Sequence, residues 1–142
     1  MIRYEFFDEG KMLITKYIGD IDKEVIKSYI RHIFTKFNCE NLKYCISDYR
    51  NSSFLFNSKD LENILKTRKE VDKGLVKSHT VFLVDTPRET ALVNLISDDY
   101  VENSHPADFC STLKCCINAL SLEIDQDELA KRLNELKFEF GG

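Results

Sequence analysis

The residues best suited to chemistry follow a short apolar run at positions 43–48. Asp48 ends that run, and Arg50, Ser52 and Ser53 come shortly after it. A carboxylate, a guanidinium and two hydroxyls in one segment can grip an anion or accept a phosphoryl group, since charge-assisted hydrogen bonds to arginine are strong. The alternative is structural: Asp48 bonds to the backbone of its own turn, and Arg50 pairs with a surface carboxylate.

A second polar segment follows another apolar run. Asp85 ends residues 80–85 and is followed by Thr86, Pro87 and Arg88. Thr86 suits the N-cap of a helix, and Pro87 suits the first helical position. With a glutamate three residues after the cap, the segment predicts a complete capping box and a helix N-terminus able to hold an anion.

The two apolar runs indicate the fold class. They are typical of strands buried on both faces, because a parallel sheet covered by helices has no solvent face. Residues 2–7 and 12–18 predict an N-terminal β-hairpin. We therefore predict an α/β fold with a mixed sheet of four to five strands and four to five helices. Ligands of open α/β sheets bind outside the carboxyl ends of strands, so both polar segments form the candidate ligand or partner site.

Apolar periodicity predicts helices between these strands and after them. They begin near residue 22 and at Ser58, Pro87, Thr112 and Asp125. Residues 49–57 are predicted to be a loop, and residues 101–110 hold at most a short edge strand because they contain a proline. The third helix is expected to turn the following side chains toward the sheet: Ala91, Leu92, Leu95 and Ile96.

Composition limits the class of protein. The 142 residues suit a single domain, residues 1–142, with residues 123–142 as an additional C-terminal helix. The net charge of -4 arises from interleaved acidic and basic residues, so nucleic acid is not expected as a partner. No apolar run reaches the length of a transmembrane segment, and the first residues lack the pattern of a signal peptide. We expect a cytoplasmic protein.

No cofactor or metal is expected. The chain has five glycines and no glycine-rich phosphate loop. Its five cysteines are odd in number, and the closest group is Cys110, Cys115 and Cys116 with His105 nearby. Adjacent residues diverge by about 100° around a helix, so Cys115 and Cys116 cannot easily share one ion. Buried thiols are the expected outcome.

The order of these elements resembles the SpoIIAA-like proteins, small stand-alone domains of the STAS and SEC14-like type. The resemblance covers residues 1–122 and is carried by three segments: the strand end Asp48-Tyr49-Arg50, the strand end Asp85-Thr86-Pro87-Arg88 and the helix start Phe109-Cys110-Ser111-Thr112-Leu113. It implies protein binding or regulation without established catalysis. In the anti-sigma-factor antagonists of this group, a serine at the start of the helix after the third strand is phosphorylated. The corresponding stretch here contains Ser52 and Ser53, followed by Phe54 where a glycine is expected.

These observations favour a non-enzymatic binding or regulatory module with an unknown protein partner. One alternative is a protein that binds a small apolar molecule or a lipid, suggested by ten phenylalanines. Another is an enzyme in which the strand-end carboxylates of Asp48 and Asp85 divide acid and base roles. The last helix, at residues 125–137, carries a leucine stripe that could cover the hairpin or pair with another copy, and we expect a homodimer. That stripe consists of Leu129, Leu133 and Leu136.

Overall fold

The computed structural model describes residues 1–72 and 78–141, which form one six-stranded mixed sheet with five helices. The strands are β1 (Ile2–Phe7), β2 (Met12–Ile21), β3 (Tyr44–Phe54), β4 (His79–Leu83), β5 (Ala107–Cys110) and β6 (Phe138–Phe140). The helices are α1 (Lys23–Lys36), α2 (Ser58–Asp72), α3 (Pro87–Glu102), α4 (Leu113–Leu120) and α5 (Gln126–Asn134). The predicted α/β class is confirmed.

The sheet has the strand order β5-β4-β3-β2-β1-β6. Strands β2, β3, β4 and β5 run parallel to one another, whereas β1 is antiparallel to both β2 and β6. The count of strands exceeds the predicted four to five because residues 123–142 contain β6 as well as a helix. The final residue, Gly142, lies outside the described residues.

Strand β3 is longer than the sequence predicts. Residues 49–54, which we expected to begin a loop, continue the parallel pairing with β2 as far as Ile21 and Phe54. The ladder shifts register between Lys16 and Ile18, which identifies a β-bulge. Four consecutive polar residues, at positions 50–53, hide this strand extension in the sequence, although Tyr49 and Phe54 on either side bury their rings.

Helices cover both faces of the central strands. On the face that we call the α1–α3 face, these three helices pack on β2, β3 and β4. On the opposite α4–α5 face, two short helices cover the same strands. Several central residues are fully buried, as the apolar runs predict. These residues are Ile46, Val81 and Leu83.

The helix starts largely follow the sequence signals. Asp22, Thr112 and Asp125 each accept a hydrogen bond at the N-terminus of α1, α4 and α5. In α3, however, the buried stripe contains Leu92, Val93 and Ile96. Leu95 is 47% exposed, contrary to our expectation, because it precedes Ile96 and points about 100° away around the helix. Ala91 is exposed for a related reason.

The leucine stripe of α5 is buried within the chain. Leu129, Leu133 and Leu136 belong to the apolar cluster of the α4–α5 face, together with Met12 and Ile14 of β2. Helix α5 therefore covers the surplus apolar surface of the hairpin, and the stripe leaves no free surface for the homodimer we expected. Among the described residues, no helix is long and apolar enough to cross a membrane.

Leu133→Ala should lower the free energy of unfolding by about 2–5 kcal/mol, the usual cost of truncating a core leucine. Leu133 is 4% exposed, so the substitution leaves a cavity. Denaturant titration measures the loss, and Leu95→Ala is the matched control because that exposed leucine should change stability by only about 0.5 kcal/mol. Equal effects of the two substitutions would contradict the burial of the α5 stripe.

Candidate functional site

The buried carboxylate of Asp48 forms an ion pair with the partly exposed guanidinium of Arg50. Asp48 is 1% exposed and lies inside β3, beside Leu83 on the α4–α5 face. The Nε and Nη2 atoms of Arg50 each donate to one carboxylate oxygen of Asp48, both at 2.9 Å. The backbone N–H of Arg50 also donates to Asp48, at 3.0 Å. Both carboxylate oxygens of Asp48 are therefore engaged within its own segment.

This pairing has an electrostatic consequence for Arg50. Its hydrogen bonds to Asp48 raise the pKa of the guanidinium, although partial burial acts in the opposite direction. If Asp48 has only a structural role, it should bond to the backbone of its own segment, and the N–H of Arg50 supplies that hydrogen bond. The partner of Arg50 is Asp48 itself, whereas we expected a surface carboxylate.

Ser52 and Ser53 lie inside strand β3. Ser52 is buried, and its hydroxyl donates to the carbonyl oxygen of Tyr49 at 2.8 Å. Ser53 is exposed and pairs in register with Asp20. Helix α2 begins at Ser58, so neither serine stands at the start of the helix that follows β3.

The second polar segment stabilises the junction between β3 and α3. Arg88 donates from Nη1 to the carbonyl of Phe54 at 2.5 Å and from Nη2 to that of Phe56 at 2.6 Å. Thr86 is the N-cap of α3, but its side chain accepts no capping hydrogen bond. Its hydroxyl donates to the carboxylate of Glu89 at 2.7 Å. The predicted capping box is wrong because Glu89 binds groups other than the Thr86 N–H.

The carboxylate of Glu89 accepts hydrogen bonds from Thr86, Arg88 and the backbone of Phe54. Burial alone would raise the pKa of its carboxyl, but hydrogen bonds from Thr86, the backbone of Phe54 and Arg88 outweigh that effect and lower the pKa. The carboxylate therefore stays charged at the N-terminus of α3, where a negative charge is favoured. Its contacts, like those of Arg88, serve the local fold.

Asp85 and Thr86 line an open surface groove of about 550 Å³, beyond the carboxyl ends of β4 and β5. Phe109 and Cys115 line the same groove. Cys110 also lines the groove, and burial, followed by the Cys115 thiol, raises the pKa of its thiol to about 12. Of the seven predicted site residues, the groove unites only Asp85 and Thr86. Among residues 1–72 and 78–141, no group of three or more His, Cys, Asp or Glu side chains could hold a metal ion.

An internal cavity of about 70 Å³ lies on the α1–α3 face. Three adjacent strands contribute the small hydroxyl side chains Thr15, Ser47 and Thr80 to its wall. Thr15 pairs in register with Ser47, so two small residues stand side by side at the centre of the sheet. Larger apolar side chains at these positions would fill the space, so the choice of small residues explains the cavity.

Aromatic rings form much of the remaining wall. The rings of Tyr17 and Tyr49 stack at a centroid distance of 4.3 Å, and the Tyr29 hydroxyl hydrogen-bonds with that of Thr15 at 2.6 Å. Burial raises the pKa of Tyr17 and Tyr29 well above the ordinary 10.0. The tyrosines therefore remain neutral, and the cavity presents ring faces and uncharged hydroxyls, with the guanidinium of Arg68 on one side.

One hydroxyl of the cavity wall lacks a strong partner. Thr80 Oγ1 is buried and makes no hydrogen bond to an oxygen or nitrogen atom of the described chain. Its polar neighbour is the thiol of Cys45, which pairs with Thr80 across the strands and is a weak hydrogen-bonding group. The cavity thus contains an unused hydrogen-bonding position.

A cleft of about 180 Å³ adjoins the cavity between the C-terminal parts of α2 and α3. Both spaces are lined by Leu65, Arg68 and Tyr100. Arg68 donates to Asp72 at 3.3 Å and to the Tyr100 hydroxyl at 3.2 Å, and its guanidinium lies 4.3 Å from the centroid of the Phe34 ring. Arg68 and Tyr100 therefore form the wall between cavity and cleft.

Our sequence interpretation did not find this cavity. A signal was present, since Thr15, Ser47 and Thr80 interrupt strands that otherwise bury apolar residues. The two threonines do not stand out in the sequence, because threonine is a favoured strand residue. Only the register of three strands reveals that these positions meet.

No family model matches the chain. No curated protein matches it either. Among solved structures, a similar one is that of the anti-sigma factor antagonist SpoIIAA in its unphosphorylated form. The two chains share 13% identity, the match covers 95% of this chain and 99% of that chain, and the TM-score is 0.48. SpoIIAA gives its name to the group that the order of elements resembles.

Arg50→Leu should lower the free energy of unfolding by about 3 kcal/mol, because the buried carboxylate of Asp48 would lose its partner. This value is at the lower end of the range for breaking buried ion pairs. Adding Asp48→Asn to this variant should restore much of the loss, since a neutral amide is less costly to bury. Denaturant titration measures both effects, with Ser53→Ala as an exposed control on the same strand. A loss no larger than that of the control would contradict a structural role for the pair.

Proposed function

We propose that this protein is a non-enzymatic binding module that holds a small, largely apolar molecule in the cavity of the α1–α3 face. The observation that carries this proposal is the buried hydroxyl of Thr80, which lines the cavity without an oxygen or nitrogen partner. An unsatisfied buried hydroxyl costs about 1–3 kcal/mol, and a bound molecule with a hydrogen-bonding group would recover part of that cost.

The size of the cavity limits the ligand. A volume of about 70 Å³ corresponds to roughly two water molecules in the liquid, at about 30 Å³ each. A lipid chain is far larger, so the lipid alternative is less favoured than a small molecule. The cavity wall carries ring faces and hydroxyls, which suits a compact molecule with one polar end.

The enzyme alternative is weakened by the state of Asp48. Both of its carboxylate oxygens accept hydrogen bonds from Arg50, and the side chain is almost fully buried. A general acid or base must reach the proton that it transfers. The buried and fully hydrogen-bonded carboxylate of Asp48 does not meet this requirement. Asp48 and Asp85 are therefore unsuited to act as an acid–base pair.

A short alcohol such as ethanol, which suits the size of the cavity, should bind saturably there. In a titration followed by NMR, the amide signals of Thr80 and Phe82 should shift and reach a plateau. Ser47→Val, which adds volume at the centre of the cavity wall, should weaken binding at least tenfold. Ser53→Val makes the same change at an exposed position of the same strand and should leave binding unaltered.

Two results would overturn the proposal. One is the absence of saturable shifts with phenol, benzene and a short alcohol alike. The other is equal binding by the Ser47→Val and Ser53→Val variants, which would locate the probe elsewhere.

A regulatory module that docks a protein partner is the second candidate. The groove beside Asp85 and Thr86 favours it, because Phe109 on the edge strand β5 is 42% exposed there. An exposed aromatic side chain in an open groove is a common anchor at protein interfaces. The partner would be another protein or a second copy of this chain. A homodimer would use this groove rather than α5, because the leucine stripe of α5 is buried within the chain.

Phe109→Ser should abolish this docking without unfolding the protein. Leu55→Ser is the matched control, because Leu55 is 62% exposed and does not line the groove. Sedimentation of the purified variants tests whether the chain forms a homodimer. Affinity capture with each variant tests whether it binds a different protein. A partner lost equally from both variants, or from neither, would exclude the groove as the docking site.

A further inference from the structure

The cavity and the cleft adjoin each other, and each is bordered by an unsatisfied polar atom. Within residues 1–72 and 78–141, Thr80 Oγ1 and His105 Nδ1 are the buried side-chain nitrogen or oxygen atoms that have no hydrogen-bond partner. Thr80 lines the cavity, and His105 lines the cleft. Buried polar atoms in native proteins are nearly always satisfied, so their occurrence at two adjoining spaces points to one binding site.

Side chains of α2 and α3 form the wall between the two spaces. Arg68 is held by hydrogen bonds of 3.2 and 3.3 Å, near the long end of the usual range. Its guanidinium stays close to the rings of Phe34 and Tyr100, at 4.3 and 5.4 Å. The cavity and the cleft would join where Arg68 and Tyr100 now stand, and parting these two side chains would break the contacts between them.

Joining the spaces changes what can bind. A dry cavity of about 150 Å³ accommodates benzene, so the inner cavity alone is too small for an aromatic ring. The inner cavity offers about 70 Å³ and the cleft about 180 Å³, so the combined space is large enough for such a ring. A long acyl chain would still exceed it.

The charges around the site favour an uncharged ligand. In the cleft, Arg68 pairs with Asp72, and Lys69 pairs with Asp99 at 3.3 Å. His105 also approaches Asp72, at 3.8 Å. Each lysine or arginine of the cleft thus has a carboxylate beside it, and an anionic ligand would meet these carboxylates as well. Burying a charge without its own partner is strongly unfavourable.

We propose that the cavity and the cleft are two halves of one site for a small uncharged aromatic alcohol, and that Arg68 and Tyr100 part to admit it. The hydroxyl meets Thr80 in the cavity, and the ring extends from there past the positions of Arg68 and Tyr100 into the cleft. This inference rests on the proposed function, because it names the ligand class and the entry route of the same cavity.

The ligand class is tested with phenol, benzene and benzoate, each titrated into the full chain and followed by NMR. Phenol should bind about fivefold more tightly than benzene, the gain expected from one net hydrogen bond. Benzoate should bind more weakly than benzene. Thr80→Val should abolish the preference for phenol, and it should fold normally because it replaces an unsatisfied hydroxyl by a methyl group.

The entry route is tested by Tyr100→Phe, which keeps the ring and removes the hydrogen bond to Arg68. Phenol should associate several times faster with this variant than with the wild type, as measured by NMR exchange rates. Tyr44→Phe is the control, because Tyr44 packs on the α4–α5 face, away from this site.

The possible failures are distinguishable. If no probe binds saturably, both the proposed function and this inference are wrong. If benzoate binds as tightly as phenol, or Thr80→Val retains the preference, the ligand class is wrong while binding in the cavity stands. If Tyr100→Phe associates at the rate of the Tyr44→Phe control, the entry route is wrong.

Discussion

Helices cover β2, β3 and β4 on both faces, so polar side chains that point inward from these strands have no access to bulk water. A buried polar group is costly unless it is hydrogen-bonded, and a buried charge is more costly still. Asp48 on the α4–α5 face meets this constraint through the hydrogen bonds of Arg50. Thr15 on the α1–α3 face meets it through Tyr29. Thr80 meets it only through a weak contact with a thiol.

The two faces of the sheet respond to this constraint in different ways. On the α4–α5 face, Ile14, Ile46 and Leu83 fill the space below two short helices, and the charged pair at the edge is complete. On the α1–α3 face, hydroxyl side chains replace apolar ones at the centre of the sheet and leave a cavity. The site that suits a ligand is therefore the face on which packing is incomplete. Asp48, which the sequence predicted at a strand end, lies inside β3 on the α4–α5 face.

The sequence predicted those features that depend on local periodicity. Buried strands at residues 43–48 and 80–85, the hairpin and the starts of α1 and α5 follow from apolar spacing and capping residues. The features that it did not predict depend on partners distant in the chain. The pairing with β2 extends β3 through Ser52 and Ser53. Glu89 binds the end of β3, which removes it from the capping box. The cavity requires three strands to bring Thr15, Ser47 and Thr80 together.

The energetic cost of the cavity supports a role beyond folding. At about 24 cal/mol per Å³, an empty void of about 70 Å³ would cost roughly 1.7 kcal/mol, and a hydroxyl left unsatisfied within it would add about 1–3 kcal/mol. A domain of this size has a total stability of only about 5–15 kcal/mol, so the combined loss is a substantial fraction of it. Valine at positions 47 and 80 would remove much of the loss while preserving strand propensity. Proteins depart from the best local packing mainly where function requires it, and here the departure brings three hydroxyl side chains to one cavity.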